Sequence, residues 1–281
     1  RMGHSNNEVY VVAYWFPKMG VFDDLRGWAA QPYMGNAEFF DDFGSYDVSI
    51  SVPTGWTVMA TGELKNPEEV FSAITLDQLE AAAVSDTLVV IADAASRGAG
   101  TVTAEGTDGW LTYQFSAENV RDFVWTTSNV QRWDATSAEV ANQIWPDADT
   151  DSDDGKTKDG EDVDTKVQAL RVEPVVDGTR RVLIHSLWRE DLAPLWAEQW
   201  RYGQQAIEFH SEYTGYAYPW SHMTSVEGLD IIEGGMEFPM MTVMGAYQGE
   251  EASDLSNVTA HEIGHMWIPM MVGCLLYTSP S

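Results

Sequence analysis

The segment 261–265 has the sequence His-Glu-Ile-Gly-His and combines two imidazoles with a carboxylate. On a helix, residues i and i+4 lie on one face, so His261 and His265 could bind a single metal ion. Glu262 lies beside them without having to be a ligand, and it could take a proton from a zinc-bound water. The pattern predicts half of a zinc site, with a helix whose histidines are purely structural as the alternative.

A second segment with chemical potential is Gly234-Gly235-Met236-Glu237. Glycines before an edge strand let the backbone of a ligand approach closely. An exposed strand edge can pair with an extended peptide, and Glu237 would place a carboxylate where the α-ammonium of that peptide ends. Taken alone, the segment is also typical of an ordinary glycine turn before a strand.

Together, the two segments resemble the aminopeptidase N family of zinc metallopeptidases (the gluzincins), in which Gly-x-Met-Glu precedes His-Glu-x-x-His. The family has a saddle-shaped β domain followed by a thermolysin-like catalytic domain. Further similarity to the β domain lies in residues 15–19, 44–48 and 53–56, and similarity to the catalytic domain lies in residues 215–219, 224–228 and 261–273.

This resemblance implies a role for each residue of the two segments. The implied site consists of the zinc ligands His261 and His265, the catalytic base Glu262, and the substrate-binding residues Gly234, Gly235, Met236 and Glu237. Glu262 would activate a zinc-bound water for attack on the scissile carbonyl. Glu237 would hold the free amino terminus of a peptide substrate, which makes the family exopeptidases with Zn²⁺ as cofactor.

The sequence departs from the family pattern at three places. Phe238 stands where the best-known members have Asn, which puts the orientation of Glu237 in doubt. The third zinc ligand of the family is a Glu that would fall near position 284, beyond Ser281, and the chain from Met266 to Ser281 contains no acidic residue. The later Tyr that supports the oxyanion in the family is also absent.

The tail 274–281, Cys-Leu-Leu-Tyr-Thr-Ser-Pro-Ser, does not follow the family pattern. We expect a truncated gene with an aberrant tail, the alternative being a genuine variant terminus. Without a third ligand, the chain itself should bind zinc weakly and be inactive. We also expect an exposed apolar patch, because the helices that would cover it are missing; its residues are Met266, Trp267, Ile268, Met270 and Met271.

Three functions are therefore open. The first is a zinc-dependent aminopeptidase that hydrolyses the first peptide bond of peptides with a free N-terminus, with this chain as its N-terminal part. The second is a non-catalytic peptide-binding domain. The third is a zinc endopeptidase that shares only the His-Glu-x-x-His motif.

The sequence patterns of the strands and helices that must position these residues predict an α+β protein. Residues 1–188 are expected to form an antiparallel β saddle or sandwich domain, with strands at 9–16, 46–52 and 111–115 and one helix at 76–85. Residues 189–273 are expected to form the incomplete start of the catalytic domain. Within 167–188 we expect two strand-like runs with a turn at Asp177-Gly178.

Helical spacing of apolar residues predicts a helix that Gly215 ends. A strand is expected at 223–226 and another at 236–243, where Pro239 argues for a sheet edge because proline cannot donate to a central ladder. The metal-binding motif is expected on a helix at 253–266, with Pro269 near its end.

Between these parts lies an acidic loop, residues 147–164. Its alternating Asp residues are typical of a calcium loop, but counting from Asp149 places Asp154 sixth and Gly160 twelfth, where an EF-hand needs Gly and Glu. A solvated surface loop is the favoured interpretation, with calcium binding as the alternative.

The net charge is −29, from 44 acidic and 15 basic side chains, which argues against a nucleic-acid partner. No apolar run is long enough for a membrane helix. No leader sequence precedes Arg1, and Cys274 is the only cysteine, so neither feature fixes the cellular location of the protein. We favour an extracytoplasmic location, either periplasmic or secreted. The oligomeric state is not readable. Structural roles are expected for the remaining histidines: His4, His185, His210 and His222.

Overall fold

The structure is a computed structural model that describes residues 3–24, 27–28, 41–145 and 174–272. The acidic loop 147–164 and the tail 274–281 lie outside these ranges, so the interpretations of both stay predictions. Within the described residues the fold is mixed α+β, with mostly antiparallel sheets and few helices, which confirms the expected class.

The chain begins with short strands that form three antiparallel sheets. In chain order the strands are β1 Gly3–Ser5, β2 Val9–Val12, β3 Phe22–Asp23, β4 Gly27–Trp28, β5 Gly44–Pro53, β6 Thr57–Ala60, β7 Glu63–Leu64, β8 Val89–Ala92, β9 Trp110–Val120 and β10 Trp125–Ser128. The sheet orders are β1-β2-β10-β6, β5-β9-β7 and β3-β4, while β8 joins a later sheet. Burial alternates along β9, as expected for a strand with one face on the core.

A six-stranded sheet follows, in the order β14-β15-β13-β12-β11-β8. Its other strands are β11 Arg132–Ile144, β12 Val175–Trp188, β13 His222–Glu227, β14 Gly235–Phe238 and β15 Met241–Met244. β13 lies parallel to both β12 and β15, and the remaining pairs are antiparallel. The sheet contains strands from both sides of residue 188, and the division into units at that residue stays a prediction.

Four α-helices are described: α1 Pro67–Val70, α2 Ala73–Ala82, α3 Gln199–Thr214 and α4 Ala252–Gly264. The predicted helix at 76–85 starts and ends earlier, because the Ser72 side chain accepts a hydrogen bond from the Thr75 amide and caps α2 at Ala73. Gly215 ends α3 with φ 74°, as predicted. No helix in the described ranges is long and apolar enough to cross a membrane.

Three predicted local structures are wrong, and two of them concern β12 and β2. Asp177 and Gly178 form a bulge inside β12 instead of a turn: Asn142 faces both of them between the pairs Ala141–Thr179 and Gln143–Val176. Gly178 has φ 71°, so the glycine that marked a turn serves a bulge. The predicted strand at 9–16 is also shorter, ending at Val12.

The predicted strand at 236–243 is instead a hairpin of β14 and β15. Pro239 and Met240 form its tight turn, and Met240 has φ 63°. Proline lacks an amide hydrogen and has a fixed φ, which suits a turn as well as a sheet edge. The edge assignment holds for β14, which is the terminal strand of the six-stranded sheet.

Candidate active site

Helix α4 carries the metal-binding motif, and its local sequence explains its start and orientation. Glu251 and Asp254 form a reciprocal capping box at its N-terminus. The buried side of the helix is formed by Leu255, Thr259, Glu262 and Ile263, at a spacing that defines one helical face. The motif helix was predicted at 253–266 and agrees with this element to within its ends.

The two histidines of the motif converge. Nε2 of His261 and Nε2 of His265 lie 3.1 Å apart. Two nitrogens bound to one tetrahedral zinc at 2.0–2.1 Å would be separated by about 3.3 Å, so little movement would let both rings face one ion. The observed distance also fits a hydrogen bond between the rings.

The surroundings of His265 fix its tautomer. Its Nδ1 lies 2.9 Å from the carbonyl oxygen of Ile268, which can only accept a hydrogen bond. In a neutral ring the proton is therefore on Nδ1, and the lone pair of Nε2 is directed at His261. A metal-binding histidine is commonly oriented by such a contact.

The surroundings of His261, whose side chain is exposed, favour its neutral form. Burial lowers the pKa of its imidazole, and the nearby His265 ring lowers it further. A neutral imidazole is the form that binds a metal ion, because a protonated ring has no lone pair to donate.

The substrate-binding segment lies against this helix. Gly235 contacts Glu262 so closely that a Cβ on it would be 2.2 Å from Oε1 of Glu262, whereas a Cβ on Gly234 would have no atom within 4 Å. Glu262 is buried, with 4% exposure, and so is Glu237, with 6%. A larger residue at position 235 would therefore force the buried Glu262 carboxylate to move.

Glu237 lies close to one histidine of the pair. Its Oε1 lies 3.8 Å from Nδ1 of His265. The alternation of side chains along a strand explains why Gly235 and Glu237 share the face of β14 that meets α4. The next residue, Phe238, is fully buried on the other face, with its ring 5.6 Å from that of Tyr14.

β14 also has the form needed to bind an extended peptide. It pairs with β15 from Gly235–Met244 to Phe238–Met241, and no strand of the described residues pairs with its other edge. The Thr242 hydroxyl donates to the carbonyl of Met236 at 3.1 Å and holds the hairpin together. The outer edge of β14 could accept a peptide by strand addition.

The described residues place no third protein ligand for zinc beside the two histidines. The described residues contain no group of three or more His, Cys, Asp or Glu side chains that could hold a metal ion. The two imidazoles fit zinc in donor type and spacing, but a catalytic zinc site needs three protein ligands.

A buried ion pair fixes the loop that leads into the glycine segment, and sequence reasoning missed it. The Arg189 guanidinium donates to both carboxylate oxygens of Glu227, at 2.8 and 2.7 Å, and to the Ser5 hydroxyl at 2.8 Å. Ser5 in turn donates to Asp230, and Glu227 accepts from the Leu229 amide. These partners are too far apart in the sequence for any local pattern to reveal them.

Tyr247 was likewise not predicted. Its pKa is raised by burial and then by the carboxylates of Glu250, Glu262 and Asp254. The phenol therefore lies in the acidic surroundings of Glu262, which a single tyrosine in the sequence does not reveal.

The expected exposed patch after α4 is largely absent. Met266, Trp267 and Met270 are buried, and only Ile268 is strongly exposed, at 47%. The Trp267 indole donates to the carbonyl of Tyr216 at 2.7 Å and packs on the Tyr218 ring. The segment before β13 thus covers residues that were expected to need a further domain.

The histidines outside the motif make structural contacts. Nε2 of His210 lies 2.8 Å from the carbonyl of Ala260 and links α3 to α4. Nε2 of His222 lies 2.8 Å from the carbonyl of Gly62, and His185 accepts a hydrogen bond from Trp133.

Comparison with known proteins adds no assignment. A scan against protein-family models finds no matching family, and a search of curated proteins finds no match. The motifs and the geometry of α4 and β14 are therefore the basis for a functional proposal.

Proposed function

We propose that this chain belongs to a zinc-dependent aminopeptidase that hydrolyses the first peptide bond of peptides. One observation carries the proposal: β14 and α4 bring Glu237, Glu262 and the His261–His265 pair together, although the two segments are separate in the sequence. The proposal extends to the fold, with a saddle-like β domain and the start of a thermolysin-like domain. The antiparallel sheets before β11 and the packing of α4 against β14 support it.

Within this site, β14 would bind the peptide backbone and Glu237 would bind its amino terminus. A carboxylate that is nearly buried pairs strongly with an ammonium group, because water does not screen the attraction. The absence of side chains at Gly234 and Gly235 lets the substrate backbone approach the strand. Capture of the ammonium at Glu237 would place the first peptide bond beside Glu262.

Glu262 would accept the proton of the attacking water and pass it to the leaving amine. When bound, zinc would lower the pKa of that water and polarise the scissile carbonyl. Gly235 packs against the Glu262 side chain and limits the directions in which its carboxylate can point. Within the described residues the motif supplies two zinc ligands, so we propose that the chain is inactive by itself.

The exopeptidase proposal is tested on a version extended past Ser281 to an acidic third ligand. We expect this extended protein to hydrolyse an aminoacyl amide. The rate of hydrolysis should fall to background in Glu262→Gln and be strongly reduced in Glu237→Gln. Glu233→Gln is the matched control, because Glu233 is exposed and lies four residues before Glu237. Absence of hydrolysis with added zinc would refute the proposal, and equal cleavage of N-acetylated peptides would assign an endopeptidase.

Metal binding can be tested on the present chain. Titration with Co²⁺, a spectroscopic substitute for zinc, should give one weak site that is lost in His261→Gln and in His265→Gln. His4→Gln is the control, since His4 is exposed and remote in sequence from the motif. Binding that survives both motif substitutions would contradict the assigned ligands.

A second candidate is a non-catalytic peptide-binding domain. It is favoured by the absence of a third ligand from the described residues. In that case the chain would bind peptides along β14 with an affinity that metal does not change. Titration of a free and an N-acetylated peptide, with and without Zn²⁺, separates the two functions.

A further inference from the structure

A cavity of about 230 Å³ lies between the N-terminal strands and the six-stranded sheet. None of the motif residues lines it. Its apolar wall comes from β6, β7, α2, β9, β11 and β12; the largest side chains in it are Met59, Leu64, Phe71, Leu79, Phe115 and Trp133. Phe71 and Trp133 are buried, with ring centroids 5.5 Å apart.

Among the described residues of this wall, the side chain of His185 has a hydrogen that no acceptor receives. His185 is 5% exposed, and its Nδ1 accepts a hydrogen bond from Nε1 of Trp133 at 3.1 Å. An indole nitrogen only donates, so the neutral His185 ring must carry its proton on Nε2. Within the described residues this N–H has no acceptor, and His185 lines the cavity.

The second histidine of the cavity is already satisfied. Nε2 of His222 faces the Gly62 carbonyl at 2.8 Å, so it donates there, and the Thr224 hydroxyl lies 3.4 Å from Nδ1. The two histidine rings are 5.9 Å apart and do not bond each other. Burial lowers the pKa of both imidazoles, so both are neutral at physiological pH.

We propose that this cavity binds a small uncharged aromatic molecule that carries one hydrogen-bond acceptor, with the acceptor placed at Nε2 of His185. An apolar cavity of roughly 150 Å³ is enough to hold benzene, so this one accommodates a substituted ring. The aromatic wall favours offset or edge-to-face contacts with such a ring. An anionic ligand is disfavoured, because the apolar wall would desolvate it and the carboxylate of Glu63, which also lines the cavity, would repel it.

This site is independent of the proposed peptidase activity. The acceptor decides the ligand class, because a ligand that covers the His185 N–H without accepting its hydrogen bond leaves a buried donor unsatisfied, whereas a ligand carbonyl satisfies it. A purely apolar ligand would fill the same space and leave that donor unsatisfied.

The test measures the binding of three probes of similar shape to the present chain. Binding is monitored by Trp fluorescence and by the thermal unfolding midpoint. Acetophenone has a ring and a carbonyl acceptor, ethylbenzene lacks the acceptor, and benzoate is charged. We expect acetophenone to bind about tenfold more tightly than ethylbenzene, the factor that ~1.4 kcal/mol of hydrogen bonding gives, and benzoate to show no binding. Equal binding of acetophenone and ethylbenzene, or no binding of acetophenone, would overturn the proposal.

Two substitutions locate the site. Leu79→Phe on α2 should fill the cavity and abolish binding of both neutral probes, and Ile74→Phe on the exposed side of the same helix should not. His185→Gln should remove the preference for acetophenone. Unchanged binding in Leu79→Phe would place the ligand elsewhere and refute the assignment, even if His185→Gln fails to fold.

Discussion

Gly235 shows how one missing side chain shapes the site. Its backbone lies against Glu262, so the strand that would bind substrate and the helix that would bind metal are in direct contact. Gly234, its neighbour, borders open space. The two adjacent glycines therefore differ in the space that a side chain would have at each position.

We therefore predict that Gly235→Ala lowers the free energy of unfolding by about 1–3 kcal/mol, the usual effect of overpacking. The new methyl group would force the buried Glu262 side chain to move. Gly234→Ala, the matched control, should change stability by less than about 0.5 kcal/mol. Chemical denaturation of the three proteins measures both effects, and equal stability of the two variants would contradict the close contact.

His185 gives a prediction for pH. Burial, and then His222, lowers the pKa of its imidazole to about 3, from 6.5 in the unfolded chain. Below pH 6.5 the unfolded state binds a proton that the folded state does not, so His185 makes stability fall as pH decreases from 6.5 towards 3. The slope is about 1.4 kcal/mol per pH unit.

His185→Gln, which can still accept a hydrogen bond from Trp133, should lose this slope. Between pH 7.0 and 5.5 the wild-type chain should lose about 1 kcal/mol more than the variant. Urea denaturation at several pH values gives both profiles, and the carboxylates and His222, present in both proteins, cancel in the difference. Parallel profiles would show that His185 is not buried in its neutral form.

At the level of elements, the loop between β13 and β14 is held by the Arg189–Glu227 pair. Both side chains are almost fully buried, with 3% and 0% exposure. Ser5 on β1 is part of the same network, which connects the N-terminal sheet to the loop before Gly234. The position of β14 therefore depends on the first strand of the chain.

Arg189→Met should destabilise the chain by about 3–5 kcal/mol, because it leaves the Glu227 charge buried without its cation. Adding Glu227→Gln, which removes the charge and keeps an acceptor for the Leu229 amide, should recover part of that loss. A double-mutant cycle by chemical denaturation measures the coupling. Additive effects of the two substitutions would exclude a direct interaction.

On the scale of the whole molecule, the net charge of −29 dominates the electrostatics. Repulsion among the carboxylates opposes the compact state. Salt weakens this repulsion, since the screening length falls from about 10 Å at 0.1 M to about 3 Å at 1 M.

We expect the free energy of unfolding to rise by roughly 1–2 kcal/mol between 0.1 and 1 M NaCl, which raises the thermal midpoint by a few degrees. Scanning calorimetry in NaCl measures the shift, with sucrose as a neutral control for general solute effects. A midpoint that is unchanged or lower in 1 M NaCl would mean that charge repulsion does not limit stability.

The sequence by itself determined the class of fold and the residues of the candidate site. Period-two and helical patterns are local, and they identified β5, β9, α3 and α4 because a strand or helix buries its apolar face wherever it packs. The spacing of His261 and His265 likewise fixes their shared helical face, and their Nε2 atoms do converge. Phe238 stands where the best-known members of the family that the sequence resembles have Asn. Its burial against Tyr14 could not be predicted from the sequence.

Only the tertiary structure decided which distant segments meet. It placed Gly235 on Glu262, closed the Arg189–Glu227 network on Ser5, and buried Trp267 against the segment before β13. It also turned a predicted turn into a bulge and a predicted strand into a hairpin, since glycine and proline permit several local conformations. Contacts between distant residues depend on how whole sheets pack, and local sequence does not encode that packing.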